Sequence, residues 1–522
     1  MEEEAAALPP GTRFVRLLWT DLAGLRRARV IPASAWEGGR RPAVALAEVC
    51  LSLQTLVDAA GAVLPTPPGR ALLVPGVGAR VVPLAAHPGH AMVACDVKAP
   101  GGPGHDGDGQ PHVICPRTAL ARVVTAMGQA LPRYEDEEHA HGLSALVGFE
   151  VEFRLLARGG ATRAAAPAAT GPATYALAAT LDAAAPILDA IADGLAAAGI
   201  AVQQYHGESG TGAFEVVTGP SDPVTAVDNL VYTRQIISTV AAGAGYDVTF
   251  APKPVAGEAG LGAHAHISVW QQSSAGDAHP ICVTNPAEPI GSDGEGPDSD
   301  SSEPWSDSDE GGPGPEADGG PYPAHDGGPE HAAGRAFMAG ILRRLDGLVA
   351  LTAGSPASFE RAQPGAWAGA HQRWAVEDKE APLRFVPATP GRFEVKCLDA
   401  TANPYVALAA LLTAGVAGVR DRAALDPPAA PLSAAEEAAF RRRRGYPWVC
   451  PPAGARLPQS AEAALDALRR GDVRIVLSDC FPAALRKLIV AARQADAAAA
   501  AQIAAGPGGL EALRAAYNRV YS

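Results

Sequence analysis

Ionisable side chains recur at the spacing of a β-strand in this chain, and this spacing restricts the folds that it can adopt. Glu150 and Glu152 lie two residues apart in the run GFEVEF, and His264 and His266 lie two apart in GAHAHISVW. Because side chains alternate across a strand with a period of two, each pair points to one face of a sheet. We therefore expect a sheet whose strands deliver these groups to a common face.

A glycine-rich turn joins two further glutamates in the run HGESGTGAFE. Glu208 and Glu215 lie seven residues apart on either side of this turn, and Glu394 follows in the strand-like run RFEVK. Burying several carboxylates together is costly unless a metal ion or a cationic substrate neutralises them. Each run alone is more typical of a solvated strand face or of a structural histidine pair. Together they favour a cation-binding site.

The acidic residues of the chain are concentrated in one segment. The chain of 522 residues has a formal net charge of −14, and 13 of its Asp and Glu residues lie from Glu288 to Glu330. No Lys or Arg occurs between Lys253 and Arg335. Without those 13 carboxylates the net charge is about −1, which gives no electrostatic indication of nucleic-acid binding.

The sequence favours a cytoplasmic protein without a membrane segment. Its seven cysteines have no CxxC or CxH spacing, and their odd number fits reduced thiols better than a disulfide framework. The N-terminal run MEEEAAALPPG lacks the basic and apolar regions of a secretory signal peptide. No apolar run reaches the length of about 18 residues that predicts a transmembrane helix.

Two domains are indicated, with a boundary between residues 100 and 116. The run RFVRLLWTDLAGLRRARVIP predicts a strand, a turn at Asp21 and Gly24, and a second strand. Pro116 then opens a run with helical spacing. The predicted parts are an N-terminal tail over 1–12, a β-rich domain over 13–112 and a larger domain over 113–522.

Helices and strands alternate in the larger domain, which is typical of an α+β fold. A helix ending at Gly199 is followed by the strand-like run IAVQQYHGE, and another helix begins at Ser221 or Asp222. The Ala-rich region beyond residue 430 is predicted to be helical. Residues 275–332 contain a run of Ser, Gly, Pro and acidic residues that cannot bury enough apolar surface, so we predict a disordered acidic insert there.

Seven motifs occur in an order that resembles the catalytic domain of the glutamine synthetase family. They are EVEF, HGE with a second Glu seven residues on, KP followed by HAHISVW, ERxxPG, EDKEAPLR, RFEVK and NPYVALAALL. The opening strand, turn and strand is similar to the family's small β-grasp domain. The segment EDKEAPLR is most similar to a branch that includes fungal developmental proteins and γ-glutamyl polyamine ligases. The resemblance implies an α+β chain with an N-terminal β-grasp domain and a catalytic domain whose antiparallel sheet is flanked by helices.

The resemblance also implies an activity, its cofactors and its site residues. Family members join glutamate and ammonia to form glutamine through a γ-glutamyl phosphate, using ATP and Mg²⁺ or Mn²⁺, and glutamate-rich sites suit these hard cations. The implied metal ligands are Glu152, Glu208 and Glu215 near the amino-acid substrate, and Glu150, His264 and Glu394 near the ATP phosphates. His266 is implied to donate to the phosphate, and Ser268 and Lys379 to lie near the nucleotide. The arginines implied to grip the substrate carboxylate and the transferring phosphoryl group are Arg361, Arg384 and Arg392.

Departures from the family pattern concern the amine substrate. Trp367 stands where the family's flap has a glutamate that helps to deprotonate ammonium. No D-G-S-S loop occurs between Val30 and Leu64 to supply the aspartate of the ammonium site. Ala213 replaces a glutamine of the second glutamate motif. The first two changes point to a bulkier or less charged amine, or to weak ammonia ligation, whereas Ala213 removes an amide near the substrate.

Three functions fit this pattern. The leading one is glutamine synthetase activity in nitrogen metabolism, the second is γ-glutamylation of a polyamine or another amine, and the third is a catalytically silent structural member. Retention of every carboxylate and of His264 argues against the third. The resemblance also implies small-molecule substrates and a ring-shaped homo-oligomer, and neither a nucleic acid nor a membrane is expected as a partner.

Overall fold

The computed structural model describes most of the chain. The described residues are 7–36, 42–51, 69–100, 109–129, 142–158, 175–272, 278–280, 329–386, 391–425 and 454–522. Of the predicted acidic insert over 275–332, they include only 278–280, which form a strand, and 329–332, which begin a helix. The rest of that prediction lies outside the described residues.

The first sheet holds the β-rich part of the chain. Its strands are β1 (Phe14–Thr20), β2 (Arg26–Pro32), β3 (Val44–Ala47), β4 (Arg70–Pro75), β5 (Val82–Pro83) and β6 (His90–Lys98). They lie in the order β2-β1-β6-β4-β3, with β5 beside β6. β1 and β6 are parallel, whereas the other described pairs are antiparallel. The predicted strand, turn and strand is confirmed as the β1–β2 hairpin.

The second sheet contains the strands that carry the motifs. They are β7 (Leu143–Ala157), β8 (Val202–Gly207), β9 (Ala213–Thr218), β10 (Tyr246–Thr249), β11 (Ala265–Gln272), β12 (Ala278–Pro280), β13 (Trp374–Val376), β14 (Leu383–Phe385) and β15 (Arg392–Val395). The order is β13-β14-β15-β11-β7-β9-β8, with β10 beside β7 and β12 beside β11. The predicted antiparallel sheet is confirmed for the described pairs except β13–β14, which is parallel.

Helices flank the second sheet and fill the C-terminal part of the chain. They are α1 (Pro116–Met127), α2 (Ala178–Ala197), α3 (Pro223–Gly243), α4 (Pro329–Thr352), α5 (Pro356–Arg361), α6 (Pro404–Arg420), α7 (Ala461–Leu468), α8 (Gly471–Cys480), α9 (Ala483–Ala505) and α10 (Gly509–Val520). The predicted helix start at Pro116 is confirmed. Of the two candidate caps of α3, Asp222 is the one used, because its side chain accepts hydrogen bonds from two backbone N–H groups of the first turn.

The β1–β2 turn is closed locally and then packs against the start of α6. The Asp21 carboxylate accepts a hydrogen bond from the backbone N–H of Ala23 at 3.0 Å. Gly24 has a φ of +83°, and a Cβ there would lie 2.6 Å from the backbone oxygen of Ala402. Asn403, which caps α6, donates from Nδ2 to the backbone oxygen of Asp21 at 2.8 Å. Only glycine therefore fits where the first sheet meets the helical layer.

A buried arginine connects the first sheet to the helices. Arg117 on α1 is 4% exposed and pairs bidentately with Asp228 on α3, with Nε–Oδ1 and Nη2–Oδ2 distances of 3.0 and 2.9 Å. It also donates from Nη1 to Asp96 on β6 at 3.0 Å. The Tyr405 hydroxyl of α6 donates to Asp228 at 2.7 Å. Three helices and the central part of the first sheet thus share one hydrogen-bonded network.

The described residues include cysteines and long helices, both of which bear on expectations from the sequence. Five of the seven cysteines lie among them, and these five are free thiols. None of the described helices is long and apolar enough to cross a membrane.

Candidate active site

The central strands of the second sheet bring the predicted carboxylates to one face. Glu152 on β7 lies directly opposite Glu215 on β9, and His266 on β11 lies opposite Glu394 on β15. Glu150 precedes Glu152 by two residues and so shares its face of β7. All five side chains are buried. The sheet therefore gathers these groups as the strand period predicts.

One group of buried side chains centres on Glu150. Its Oε2 lies 2.7 Å from His264 Nδ1, and its Oε1 lies 2.7 Å from His266 Nε2. Glu394 Oε1 lies 3.2 Å from His264 Nδ1. Glu150, His266 and Glu394 can offer ligand atoms that lie within 4.8 Å of one another. This geometric group contains His266, whereas the resemblance implies His264 as the ligand. His264 nevertheless contacts the same two carboxylates, Glu150 and Glu394.

Two cationic side chains hold Glu394 in place. Lys396 Nζ lies 2.9 Å from its Oε1, and Arg384 Nη1 lies 3.0 Å from its Oε2. Arg384 also donates from Nε to Glu377 at 3.1 Å. Burial disfavours the charged form of Glu394, but Lys396 and the hydrogen bond to His264 outweigh it and hold the pKa well below its usual range. Glu394 is therefore an ionised, fixed carboxylate.

The two histidines are oriented by two further arginines. Arg392 donates to His266 Nδ1, with an Nη2–Nδ1 distance of 2.9 Å, so the proton of the neutral ring lies on Nε2 and is donated to Glu150. Arg361 Nη2 lies 2.9 Å from His264 Nε2. All four side chains of these two contacts are buried. The sheet face thus presents fixed imidazoles beside fixed guanidinium groups.

A second group lies beside the glycine-rich turn. His206, Glu208 and Glu215 can offer ligand atoms within 4.8 Å of one another, and His206 Nε2 is 3.3 Å from Glu215 Oε1. Burial, followed by the charge of Glu152, raises the pKa of Glu208 to about 7. Burial, followed by the charges of Glu150 and Glu152, raises the pKa of Glu215 well above its usual value. Converging carboxylates of this kind are stabilised when a divalent cation lies between them.

Both groups fit hard divalent cations. Carboxylate oxygens, with an imidazole nitrogen, form a ligand set suited to Mg²⁺ or Mn²⁺, whereas the thiolates that select softer metals are absent from both groups. Burial and the neighbouring glutamates raise the pKa values of Glu208 and Glu215, so their charged forms are disfavoured without a further cation. A divalent cation bound between these carboxylates would supply the missing positive charge.

The backbone leading into β11 packs tightly against the first group. Gly262 donates its N–H to Glu152 Oε2 at 2.9 Å. A Cβ at this position would lie 2.5 Å from both Arg361 Nη2 and His264 Nε2. Glycine therefore allows the main chain to approach two residues of the site at once.

The replacement Gly262→Ala is expected to lower turnover by about 100-fold, because its methyl group must displace Arg361 and His264 by a large fraction of an ångström. The measurement is ADP release under saturating substrates, with circular dichroism to check folding. Gly243→Ala is the matched control, since a Cβ there meets no atom within 4 Å. Wild-type turnover in Gly262→Ala would show that neither displaced side chain takes part in the reaction.

The segment after α5 forms a turn that exposes an indole. Trp367 has a φ of +52°, and its side chain is 48% exposed. The Glu380 carboxylate accepts hydrogen bonds from the backbone N–H groups of Gly365 and Trp367, at 3.2 and 2.8 Å. Burial raises the pKa of Glu380, although these two N–H groups partly offset it. Glu380 thus holds a left-handed turn that presents Trp367 to solvent.

Two residues implied for the nucleotide lie in different surroundings. Lys379 Nζ lies 6.0 Å from the ring centroid of Tyr175, and the centroid of that ring is 5.2 Å from the centroid of the His206 ring. Ser268 is buried on β11, where its Oγ accepts a hydrogen bond from Trp270 Nε1 at 3.0 Å. Lys379 is thus connected to the second group through Tyr175, whereas Ser268 lies on β11, the strand that carries His266.

Three residues with clear contacts in the site were not assigned to it from the sequence. His206 lies opposite Glu215 in the β8–β9 register, and the HGE motif itself contains it. Lys396 lies two residues after Glu394, so the strand period places it on the same face. Glu380 lies within EDKEAPLR, but no local pattern in that segment indicates that its carboxylate binds the backbone of the Trp367 turn.

Known proteins resemble this chain over most of its length. The family described as glutamine synthetase, catalytic domain, matches residues 115–279 and 322–505. Gamma-glutamylpolyamine synthetase GlnA3 of Streptomyces coelicolor is 33% identical over 434 residues, which cover 80% of this chain and 77% of that protein. Type-1 glutamine synthetase 1 of Dictyostelium discoideum is 26% identical over 443 residues, covering 80% and 76%. The crystal structure of a glutamine synthase homolog has the same fold, with a TM-score of 0.67 at 24% identity over 99% of this chain and 100% of the other.

The fold, the site and these matches define an enzyme that forms carbon–nitrogen bonds. The chain belongs to the glutamine synthetase family. Members of this family generally use ATP and divalent metal ions, and their substrates are small molecules.

Proposed function

We propose that this protein is an ATP-dependent ligase that joins the side-chain carboxylate of glutamate to an alkylamine or a polyamine. One observation carries the proposal: the indole of Trp367 is half-exposed on the turn after α5, at or near the position that the resemblance gives to the family's flap glutamate. An indole accepts no proton from ammonium, but its face attracts an alkylammonium group and packs against alkyl carbons. The relative GlnA3, named as a γ-glutamylpolyamine synthetase, supports the same class of acceptor.

The two carboxylate groups hold divalent cations in this proposal. When bound, such cations neutralise the carboxylates and the phosphate oxygens of ATP. The proposed ligands are Glu150, His264 and Glu394 for one cation and Glu152, Glu208 and Glu215 for the other. His206 and His266 stand beside these sets and orient their carboxylates through the contacts of 3.3 and 2.7 Å described above.

The cationic residues bind the anionic reactants. Guanidinium groups match carboxylate and phosphoryl oxygens bidentately, so we assign Arg361, Arg384 and Arg392 to the substrate carboxylate and the transferring phosphoryl group. We assign His266 to the transferring phosphoryl group as a donor through Nε2, which in the described structure faces Glu150. Ser268 and Lys379 are assigned to the nucleotide.

Release of ADP from the purified protein with ATP, Mg²⁺ and glutamate tests the proposal, with ammonia, methylamine, putrescine and spermine as separate acceptors. We expect ADP release with the larger amines and at most about a tenth of that rate with ammonia, the ratio that a difference of about 1.4 kcal/mol in transition-state binding gives. Release with ammonia at the same rate or faster would replace the proposal by glutamine synthesis. Absence of release with every amine would indicate the catalytically silent member.

Trp367 offers a direct test of acceptor choice. Trp367→Glu is expected to lower the ratio of kcat/KM for putrescine to kcat/KM for ammonia by about tenfold, because a cation–π contact is worth about 0.5–2 kcal/mol. Trp367→Phe is the control, since it keeps an aromatic face and should keep most of the preference. An unchanged ratio in Trp367→Glu would separate this residue from the choice of amine.

Glutamine synthesis from ammonia is the second candidate. Retention of every implied metal ligand favours it, and the Dictyostelium relative is named as a glutamine synthetase. The same panel of amines decides between the two candidates. We also propose that the protein forms a ring-shaped homo-oligomer and that it acts in the cytoplasm. Light scattering in solution measures the mass of the assembly and so tests the homo-oligomer.

A further inference from the structure

A polar cavity of about 210 Å³ lies away from the residues assigned above. It is lined by the β1–β2 turn, the middle of α3, the residue that follows β10, and the last residues of the chain. The lining residues that matter most are Arg26, Arg234, Ser238, Phe250, Tyr521 and Ser522. None of the proposed metal ligands or substrate-binding arginines lines it.

Arg234 points into this cavity without a hydrogen-bond acceptor. Its side chain on α3 is buried, with only 6% of the residue exposed. Among the described residues, none accepts a hydrogen bond from its guanidinium group, and its Nε is fully shielded from solvent. The charge of Asp399 acts on it from nearby; Asp399 accepts hydrogen bonds from Thr401 at Oδ1, and its buried Oδ2 has no hydrogen-bond partner among the described residues. Burial lowers the pKa of Arg234 to about 10.

Arg26 brings a second guanidinium group to the same cavity. It donates from Nη2 to Ser238 Oγ at 3.1 Å and to the backbone oxygen of Ser522 at 2.8 Å. Its Nη1 has no acceptor within the part of the chain that the structure describes. Burial, followed by the charge of Arg234, lowers the pKa of Arg26 to about 9. Two like charges therefore face one space.

The two guanidinium groups are held by the same aromatic ring. Arg26 Cζ lies 5.3 Å and Arg234 Cζ lies 5.8 Å from the ring centroid of Phe250. Such stacking keeps the planar groups in position and leaves their edges, which carry the N–H donors, available to a ligand. Arg27 does not add to this charge, because its Nε pairs with Asp21.

We propose that this cavity is an oxyanion site, which binds a compact carboxylate or phosphate between Arg26 and Arg234. Buried guanidinium N–H groups without acceptors are unfavourable, whereas a bidentate guanidinium–oxyanion pair satisfies both groups. A volume of about 210 Å³ holds an inorganic phosphate or a small carboxylic acid together with water. The bound anion connects the β1–β2 turn of the first sheet to α3 and to the end of the chain.

Thermal unfolding in phosphate against chloride at equal ionic strength tests this site. We expect phosphate to raise the Tm of the wild type by about 2–4 °C. Arg234→Met should lose this shift, because it removes one of the two guanidinium groups that bind the anion. Arg392→Gln is the control for phosphate bound at the active site, and it should keep the shift.

Three outcomes contradict the proposal: a full phosphate shift in Arg234→Met, a shift lost only in Arg392→Gln, or no shift with any oxyanion. Arg26→Gln repeats the test at the second guanidinium group if Arg234→Met does not fold. Parallel melts in succinate distinguish the two sources of oxyanion. A shift in succinate alone assigns the site to carboxylates, and a shift in phosphate alone assigns it to phosphates.

Discussion

Glu215→Ala is expected to abolish metal-dependent ligation, with a loss in kcat of about 100-fold or more, while the protein still folds. Replacing a residue that only supports a metal ligand lowers metal affinity or activity by about 10–100-fold. We therefore expect a loss at or above the upper end of this range when a proposed ligand itself is removed. Folding is expected to survive because Glu215 is buried among Glu150, Glu152 and Glu208, which raise its pKa together with burial. Loss of one repelling carboxylate should leave the metal-free Tm equal to or above that of the wild type.

ADP release at increasing Mg²⁺, together with thermal unfolding with and without a chelator, measures both parts of this expectation. Glu511→Ala serves as the control, because its side chain is 85% exposed on α10. The wild type should gain Tm with Mg²⁺, and Glu215→Ala should gain much less. Turnover that stays at the wild-type level would remove Glu215 from the proposed metal ligands.

Arg117→Met is expected to lower the free energy of unfolding by about 3–5 kcal/mol, the usual cost of removing one partner of a buried ion pair. Its loss leaves Asp228 and Asp96 buried without the guanidinium that binds both. Tyr405 remains as a hydrogen-bond donor to Asp228 but carries no positive charge.

Chemical denaturation measures this loss, and Arg420→Met is the matched control. Arg420 pairs with Asp479 at 3.2 Å, but its side chain is 47% exposed, so its removal should cost at most about 1 kcal/mol. Equal effects of the two replacements would contradict the role given to the Arg117 network.

Much of the fold follows from short-range patterns in the sequence. The β1–β2 hairpin follows from apolar alternation around Asp21 and Gly24, and the start of α1 follows from Pro116. The choice of Asp222 over Ser221 as the cap of α3 did not follow, because both residue types favour that position and only the path of the backbone separates them. The parallel β13–β14 pair was also not predicted, since strands of three residues carry too little pattern to show their direction.

Part of the candidate site could also be predicted from the sequence, and part could not. The period of two placed Glu150 and Glu152 on one face, and the observed register sets Glu152 opposite Glu215. Contacts between segments that are distant in the sequence could not be predicted from residue spacing. The support of the Trp367 turn by Glu380 depends on a bend in the chain that brings the two residues together, and no residue spacing encodes it.

The anchoring of the β1–β2 turn limits how this enzyme can be recombined with its relatives. A chimera that takes its N-terminal sheet from one parent and its helices from another must match two separate pieces of sequence, 21–24 and 402–403. Gly24 leaves no space for a side chain against Ala402, and Asn403 needs the backbone oxygen of Asp21 in reach. We expect productive crossovers to exchange both pieces together, even though about 380 residues separate them.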